Sequence, residues 1–390
     1  MISEESPTPR GVHTASALAG VVVMVSAMTM YGIAPLLYGG LVEEGRLDLR
    51  QIGLAMTIQA LVMGIVNLAA DAVLKRKRQR LLIALCVATL VPLQLLYTRQ
   101  SGTGVLLLSA ICSVPQGLLL WTGMGVIARS AGPARLMAYS EISITLLKLA
   151  VSSLLAAVLL PRWGINAAFV TTAAVVSTGF FASFLIPSDM HDAPDGKQRD
   201  SARMPARGWL ALAVVMLVWA GTMSLLSYLV PLARGAGLDA QAAHGAFVAL
   251  LAGQIGGGVI AAAVAKRIVY PRALAIGAVI ALGAIMAFHL QPPGWLFWAT
   301  AAAYGFTFAL SAPFLMPLLI AADPSRRAAG KFMGAALLGS AVGPLLTSRL
   351  VRPAGAEGAL YTAGGAVALA VIAVVMLQVP RRTGPVTATS

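Results

Sequence analysis

The chain has 390 residues, 58 % hydrophobic and only 11 % charged, with a mean hydropathy of +0.84. A soluble domain carries about 25 % charged residues, so this chain lacks the polar surface to cover a core of its size. That excludes a soluble enzyme, a nucleic-acid-binding domain and a disordered chain, and leaves an all-α polytopic membrane protein whose net charge of +14 must be placed relative to a bilayer.

Residues 1–14 form a short polar tail with Glu4 and Glu5, and the apolar run after them is longer than a signal-peptide core, so no cleaved signal is expected. A helix needs ~20 apolar residues to cross a bilayer. Stretches of that order predict spans at 15–40, 51–74, 80–98, 104–128, 137–160 and 164–187. A second set is predicted at 208–233, 240–265, 272–290, 295–320, 327–350 and 358–380. The uncharged stretch from Ala273 to Ala322 is too long for one span, and Gln291-Pro292-Pro293-Gly294 breaks it in two. Cys86 and Cys112 both fall in apolar runs without metal-ligand spacing.

An even number of spans puts both termini on one side. Twenty Lys and Arg residues then share that side, among them Lys75 to Arg80 and Arg381-Arg382, against seven on the other, with Lys148 left inside a span. The bias predicts a cytoplasmic-membrane protein with both termini cytoplasmic. Its basic excess is thus an orientation and anionic-lipid signal, with no nucleic-acid partner expected.

The two sets of six spans match at a constant offset of 192 residues: Gly53 with Gly245, Gly64 with Gly256, Lys75 with Arg267, Arg135 with Arg327, and Pro161 with Pro353. This predicts two bundles, 15–187 and 208–380, in the same orientation. The Asp-, Pro- and Arg-rich segment 188–207 is the cytoplasmic linker between them, and 381–390 is a cytoplasmic tail.

This architecture resembles the major facilitator superfamily over nearly the whole chain. The family pattern after span 2 is Gly-x-Leu-Ala-Asp-Arg-x-Gly-Arg-Arg/Lys, and this sequence has Asn67-Leu68-Ala69-Ala70-Asp71-Ala72-Val73-Leu74-Lys75-Arg76. Ala70, Asp71, Lys75 and Arg76 fit, while Asn67, Ala72 and Leu74 depart. The resemblance implies that Asp71, with Lys75 and Arg76, latches a cytoplasmic gate; the plainer alternative is that Asp71 neutralises a basic loop. The resemblance also implies that spans 1, 4, 7 and 10 line a central cavity. Span 1 lacks the acidic motif of the aromatic acid/proton symporters. Span 5 lacks the Gly-x-x-x-Gly-Pro signature of drug/proton antiporters, of which a partial form, Gly339 to Pro344, sits in span 11.

No hydrolase, kinase or dinucleotide motif is present, so no enzyme and no cofactor is expected, and the four histidines form no metal-ligand pair. The run Gly256-Gly257-Gly258 lies inside span 8 and reads as close helix packing or a flexible point. Lys148 falls at the middle of span 5, roughly 16 Å from the nearer helix end, beyond the reach of a snorkelling lysine stem. A lysine at that depth costs at least ~2.5 kcal/mol unless it faces a wet cavity or a partner. Glu141, Thr145, Lys148 and Ser152 recur at helical spacing and make one polar stripe. The positions related by the repeat, Met333, Leu337, Ser340 and Pro344, carry no charge, so the stripe belongs to one half only.

Lys148 is therefore the candidate anchor for an anionic group of a solute; the alternative is a structural lysine held by carbonyls or a buried acid. Glu141 is either a proton-coupling site or an acid stabilised near the helix N-terminus. Tyr31, Gln116, Tyr228, Gln254 and Tyr304 are further candidates for solute contact, each with the alternative of bonding a neighbouring helix. The expectation is a secondary transporter that takes up a small organic anion with a proton or other coupling ion. Efflux of an amphipathic or anionic compound is the alternative within transport, and a non-transporting sensor or partner subunit the alternative outside it.

Overall fold

The computed structural model describes residues 14–74, 78–128, 133–186, 188, 204–264, 267–324, 327–351 and 356–378. Among them the fold is helical throughout: α1 (Thr14–Glu43), α2 (Leu49–Val73), α3 (Gln79–Leu96), α4 (Thr103–Ala128), α5 (Pro133–Leu154), α6 (Leu160–Ser183), α7 (Ala206–Gly235), α8 (Ala240–Val264), α9 (Tyr270–His289), α10 (Gly294–Ala322), the single turn α11 (Arg327–Gly330), α12 (Phe332–Leu350) and α13 (Gly358–Gln378). The twelve long helices match the twelve predicted spans. Among the described residues ten stretches are long and apolar enough to cross a membrane, one of which, Ile142–Ser183, covers both α5 and α6.

Local chemistry explains the boundaries. Asp48 caps α2 through a reciprocal capping box, its carboxylate accepting from Gln51 N–H at 2.7 Å while the Gln51 side chain accepts from Asp48 N–H. The predicted break at Gln291 to Gly294 separates α9 from α10, with Gln291 at φ 49°. Between spans 5 and 6 the outcome differs from the sequence reading. The helix runs on through Pro161, preceded by a widened π turn over Leu155–Leu159, and the chain turns only at Gly164. A π turn shifts the hydrogen-bond register, which lets a helix pass a residue without an N–H. Gly164, at φ 66° and ψ −170°, takes the conformation that residues with a Cβ avoid.

Exposed apolar side chains, among them Leu85 of α3, Phe181 of α6, Val279 of α9 and Ile372 and Met376 of α13, form outer faces that meet lipid. Inside, small residues bring helices together. Gly253 and Gly257 of α8 abut the backbone of Ala302 and Phe306 in α10, and Gly339 and Gly343 of α12 abut the backbone of Met216 and Ala220 in α7. The Gly256–Gly258 run is therefore a packing device at Gly257. One apolar core runs through the N-terminal half into the near part of the C-terminal half, and a separate one fills the rest of the latter.

Candidate functional site

The site is framed by α1 and α7, the first helices of the two halves. Gly39 of α1 abuts Val230 of α7; a Cβ there would lie 2.9 Å from the valine Cβ. In the C-terminal parts of both helices, leading up to this contact, residues 33–41 and 220–230 are buried. Towards their N-terminal ends α1 exposes Leu18 and Val22, and α7 exposes Trp209 and half-buries residues 216–219. The two halves thus meet at one end and part at the end where α1 and α7 begin.

Polar contacts hold the closed end. The Glu43 carboxylate of α1 reaches Nε2 of His244 in α8 at 3.2 Å and Nε of Arg234 in α7 at 3.4 Å. The backbone N–H of Gly53 in α2 donates to the Tyr228 hydroxyl at 3.0 Å, and the Thr57 hydroxyl donates to the carbonyl of Ala341 in α12 at 2.9 Å.

Just below this closure lies the predicted lysine. The face of α5 turned to lipid carries Ile142, Leu146 and Leu154, exposed by 56, 50 and 46 %. At 3.6 residues per turn Lys148 lies about 180° from the centre of that face. Its stem runs across Gly32 of α1, closely enough that a Cβ on Gly32 would collide with the lysine Cδ. Gly32 is two turns from Gly39 on the same face, so the stem crosses the side of α1 that looks towards α7. Lys148 and Thr145 each have an interaction partner. The Ser152 hydroxyl, on the same stripe, is buried without one. Beside Gly32, the Tyr31 hydroxyl faces Ser340 of α12 without completing a hydrogen bond. Ser340 is the position related to Lys148 by the 192-residue repeat.

Tyr31 and Lys148 thus stand at adjacent residues of α1, the lysine across Gly32 and the tyrosine turned to α12. Gln116 lies behind them in a buried network of the N-terminal half: Tyr38 donates to Gln59, Gln59 Nε2 donates to Gln116 Oε1 at 3.2 Å, and Tyr38 and Tyr97 share the Ser109 hydroxyl. The Gln116 Nε2 has no partner there. Gln254 is buried in α8, one turn before Gly258. Tyr228 and Tyr304 stand elsewhere. Tyr228 accepts from Gly53 in the closed end, and Tyr304 donates to the Gly221 carbonyl at 3.0 Å within the C-terminal half. The Tyr304 ring lines a cavity of about 110 Å³ between α7, α9, α10 and α13, away from the cleft. The side chains of Asp71 and Glu141, and all of Lys75 and Arg76, lie outside the described residues.

A family model described as Major Facilitator Superfamily matches residues 19–336. The chain belongs to this family. No curated protein matches. Among solved structures the chain is similar to a point mutant of the nucleoside transporter NupG, with a TM-score of 0.70 and 13 % identity over 94 % of this chain and 100 % of that one. It is also similar to a bacterial homologue of the human lysosomal transporter Spinster in an inward-facing, occupied conformation. That match has a TM-score of 0.62 and 16 % identity over 93 % of this chain and 94 % of the other. These likenesses establish the fold. The chain is thus a multi-pass membrane protein with the transporter fold of the superfamily, whose cargo is a small-molecule solute.

The cleft holds one residue that the sequence reading passed over. Trp219 lies eleven residues, three full turns, before Val230 on the same face of α7, so it looks into the cleft as Met28 of α1 does from the facing side. Its ring packs edge-on against Phe308 of α10, centroids 5.0 Å apart, and its indole N–H is covered and has no acceptor. The signal was available only in the register: a tryptophan at mid-span is informative once the contacting face of its helix is known.

Proposed function

We propose that this protein is a secondary active transporter working by alternating access, which takes up a small organic anion with a proton. Lys148 anchors the carboxylate, Tyr31 and Gln116 supply neighbouring donors, and Glu141 carries the coupling proton. What supports this reading is the course of Lys148, whose stem crosses the cleft-facing side of α1 at the point where the two halves separate. A lysine held there at a cost of ~2.5–3.5 kcal/mol is well placed to attract an anion, in a site of low dielectric where charge is poorly screened. The bias of Lys and Arg places the open end in the cytoplasm. The state described is then inward-facing, as the Spinster homologue is by its own description. Asp71, Lys75 and Arg76 are proposed to latch the cytoplasmic end in the opposite state.

The test is uptake of labelled organic acids into proteoliposomes under an imposed pH gradient. Lys148→Gln is expected to reduce uptake at least tenfold while the melting temperature holds. Glu141→Gln is expected to keep counterflow exchange and lose pH-driven accumulation. Retained uptake by the lysine variant overturns the anchor. Net movement only out of the cytoplasmic compartment replaces uptake with efflux. Labelling of a cysteine in the 188–207 linker from outside intact cells reverses the topology.

A further inference from the structure

We infer that the cargo is an aryl carboxylate whose ring lies against Trp219 while its carboxylate meets Lys148; this rests on the anion reading above. Lys148 crosses α1 at Gly32, two turns from the Gly39–Val230 contact, and Trp219 lies three turns from it along α7. The difference, one turn and a fraction, offsets the two groups by about 6 Å along the cleft. That offset suits a planar ring joined to a carboxylate directly or through one or two carbons. The N-terminal side of the cleft carries the cation, Lys148, half-buried across Gly32, and the hydroxyls of Tyr31 and Ser152 and Nε2 of Gln116 are buried within that half without partners.

The C-terminal side opposes this with aromatic surface. Trp219 is half-buried, with Phe308 fixed edge-on behind it, so the indole keeps its orientation at little further loss of side-chain freedom. The arrangement does not use an acidic group on span 1, in keeping with the absence of one there.

The experiment is calorimetric titration of the purified protein with phenylacetate and cyclohexylacetate, which share charge and length and differ in ring character. Phenylacetate is expected to bind roughly three- to tenfold more tightly, although the saturated ring is the more apolar. Trp219→Leu is expected to abolish that preference, Trp219→Phe to keep part of it, and Lys148→Gln to weaken both acids by a similar factor. Equal affinities in the wild-type protein, or a preference that survives in folded Trp219→Leu, overturn the ring contact and leave the anion reading standing. No binding of either acid to the wild-type protein overturns both. The wild-type comparison needs no variant to fold.

Discussion

The repeat creates two seams between the halves, α2 against α12 and α5 against α8, and the two are built differently. In the first, Gly53 of α2 lies against the Pro344 carbonyl, the Tyr228 hydroxyl and Ser348, and a Cβ on Gly64 would lie 3.4 Å from Leu337 of α12. Their counterparts in α8 face their own half: Gly245 meets Trp298 of α10, and Gly256 meets Phe306 of α10. The repeat therefore kept the glycines and changed what they approach. On α2 they bring the halves together, and on α8 they fasten α8 to α10. The α5 face that is left carries Lys148 against α1 instead of a tight glycine seam. Close backbone packing marks the α2 seam and a half-buried cation the α5 seam.

The largest effect expected from breaking this difference is at Gly53. A valine there would put Cβ 2.5 Å from the Tyr228 oxygen and 2.7 Å from Ser348 Cβ, with the Pro344 carbonyl closer still. Overpacking of this kind costs about 1–3 kcal/mol, and here it falls on the contact between halves. Gly53→Val is expected to abolish transport and to expose cysteines placed at the closed end. Gly245→Val meets Trp298 inside its own half; it is expected to lower the melting temperature without opening the closed end. If both variants open it, the two seams are equivalent and the comparison fails.

Tyr228→Phe tests the same seam more gently. It removes the one hydrogen bond that the Tyr228 hydroxyl makes with the Gly53 N–H across the seam, at about 0.5–1.5 kcal/mol. The variant is expected to fold and to open the closed end several-fold more often, read by cysteine accessibility.

Much of this was legible in the sequence, for definable reasons. Span positions, the break at Gln291 to Gly294 and the two halves follow from apolar length, proline chemistry and a constant offset. The inward direction of Lys148 follows from helical spacing against Ile142, Leu146 and Leu154. What escaped were contacts whose partner leaves no mark on the sequence. Tyr228 and Tyr304 bind backbone groups of distant helices, and any residue can supply a backbone N–H or carbonyl. The span predicted to end at 160 continues past Pro161; the π turn before the proline, which no composition signal announces, carries the helix on to Gly164. Trp219 needed the register of α7 against α1, which only Gly39 and Val230 reveal.

Glu43→Gln is expected to act less strongly than either change in the α2 seam. The carboxylate bridges Arg234 and His244 at the rim, and ion pairs with solvent access contribute about 1 kcal/mol or less. The closed end is expected to open up to about fivefold more often at low salt, with the difference shrinking as salt rises. A larger effect that ignores salt would make this cluster, and not the glycine seam, the main closure.

The smallest effect is expected at Gly258, four turns from His244 on the face of α8 turned to the N-terminal half. Nothing lies within 4 Å of a Cβ placed there, whereas a Cβ on the adjacent Gly257 would collide with the Phe306 backbone. Gly258→Ala adds helix propensity, up to about 1 kcal/mol, and meets no neighbour, so a small rise in melting temperature with transport within twofold of wild type is expected. Gly257→Ala is expected to lower the melting temperature. A destabilised Gly258→Ala would mean that α8 is as closely packed towards the N-terminal half as α2 is towards α12, and the open path along α5 and Lys148 would have to be abandoned.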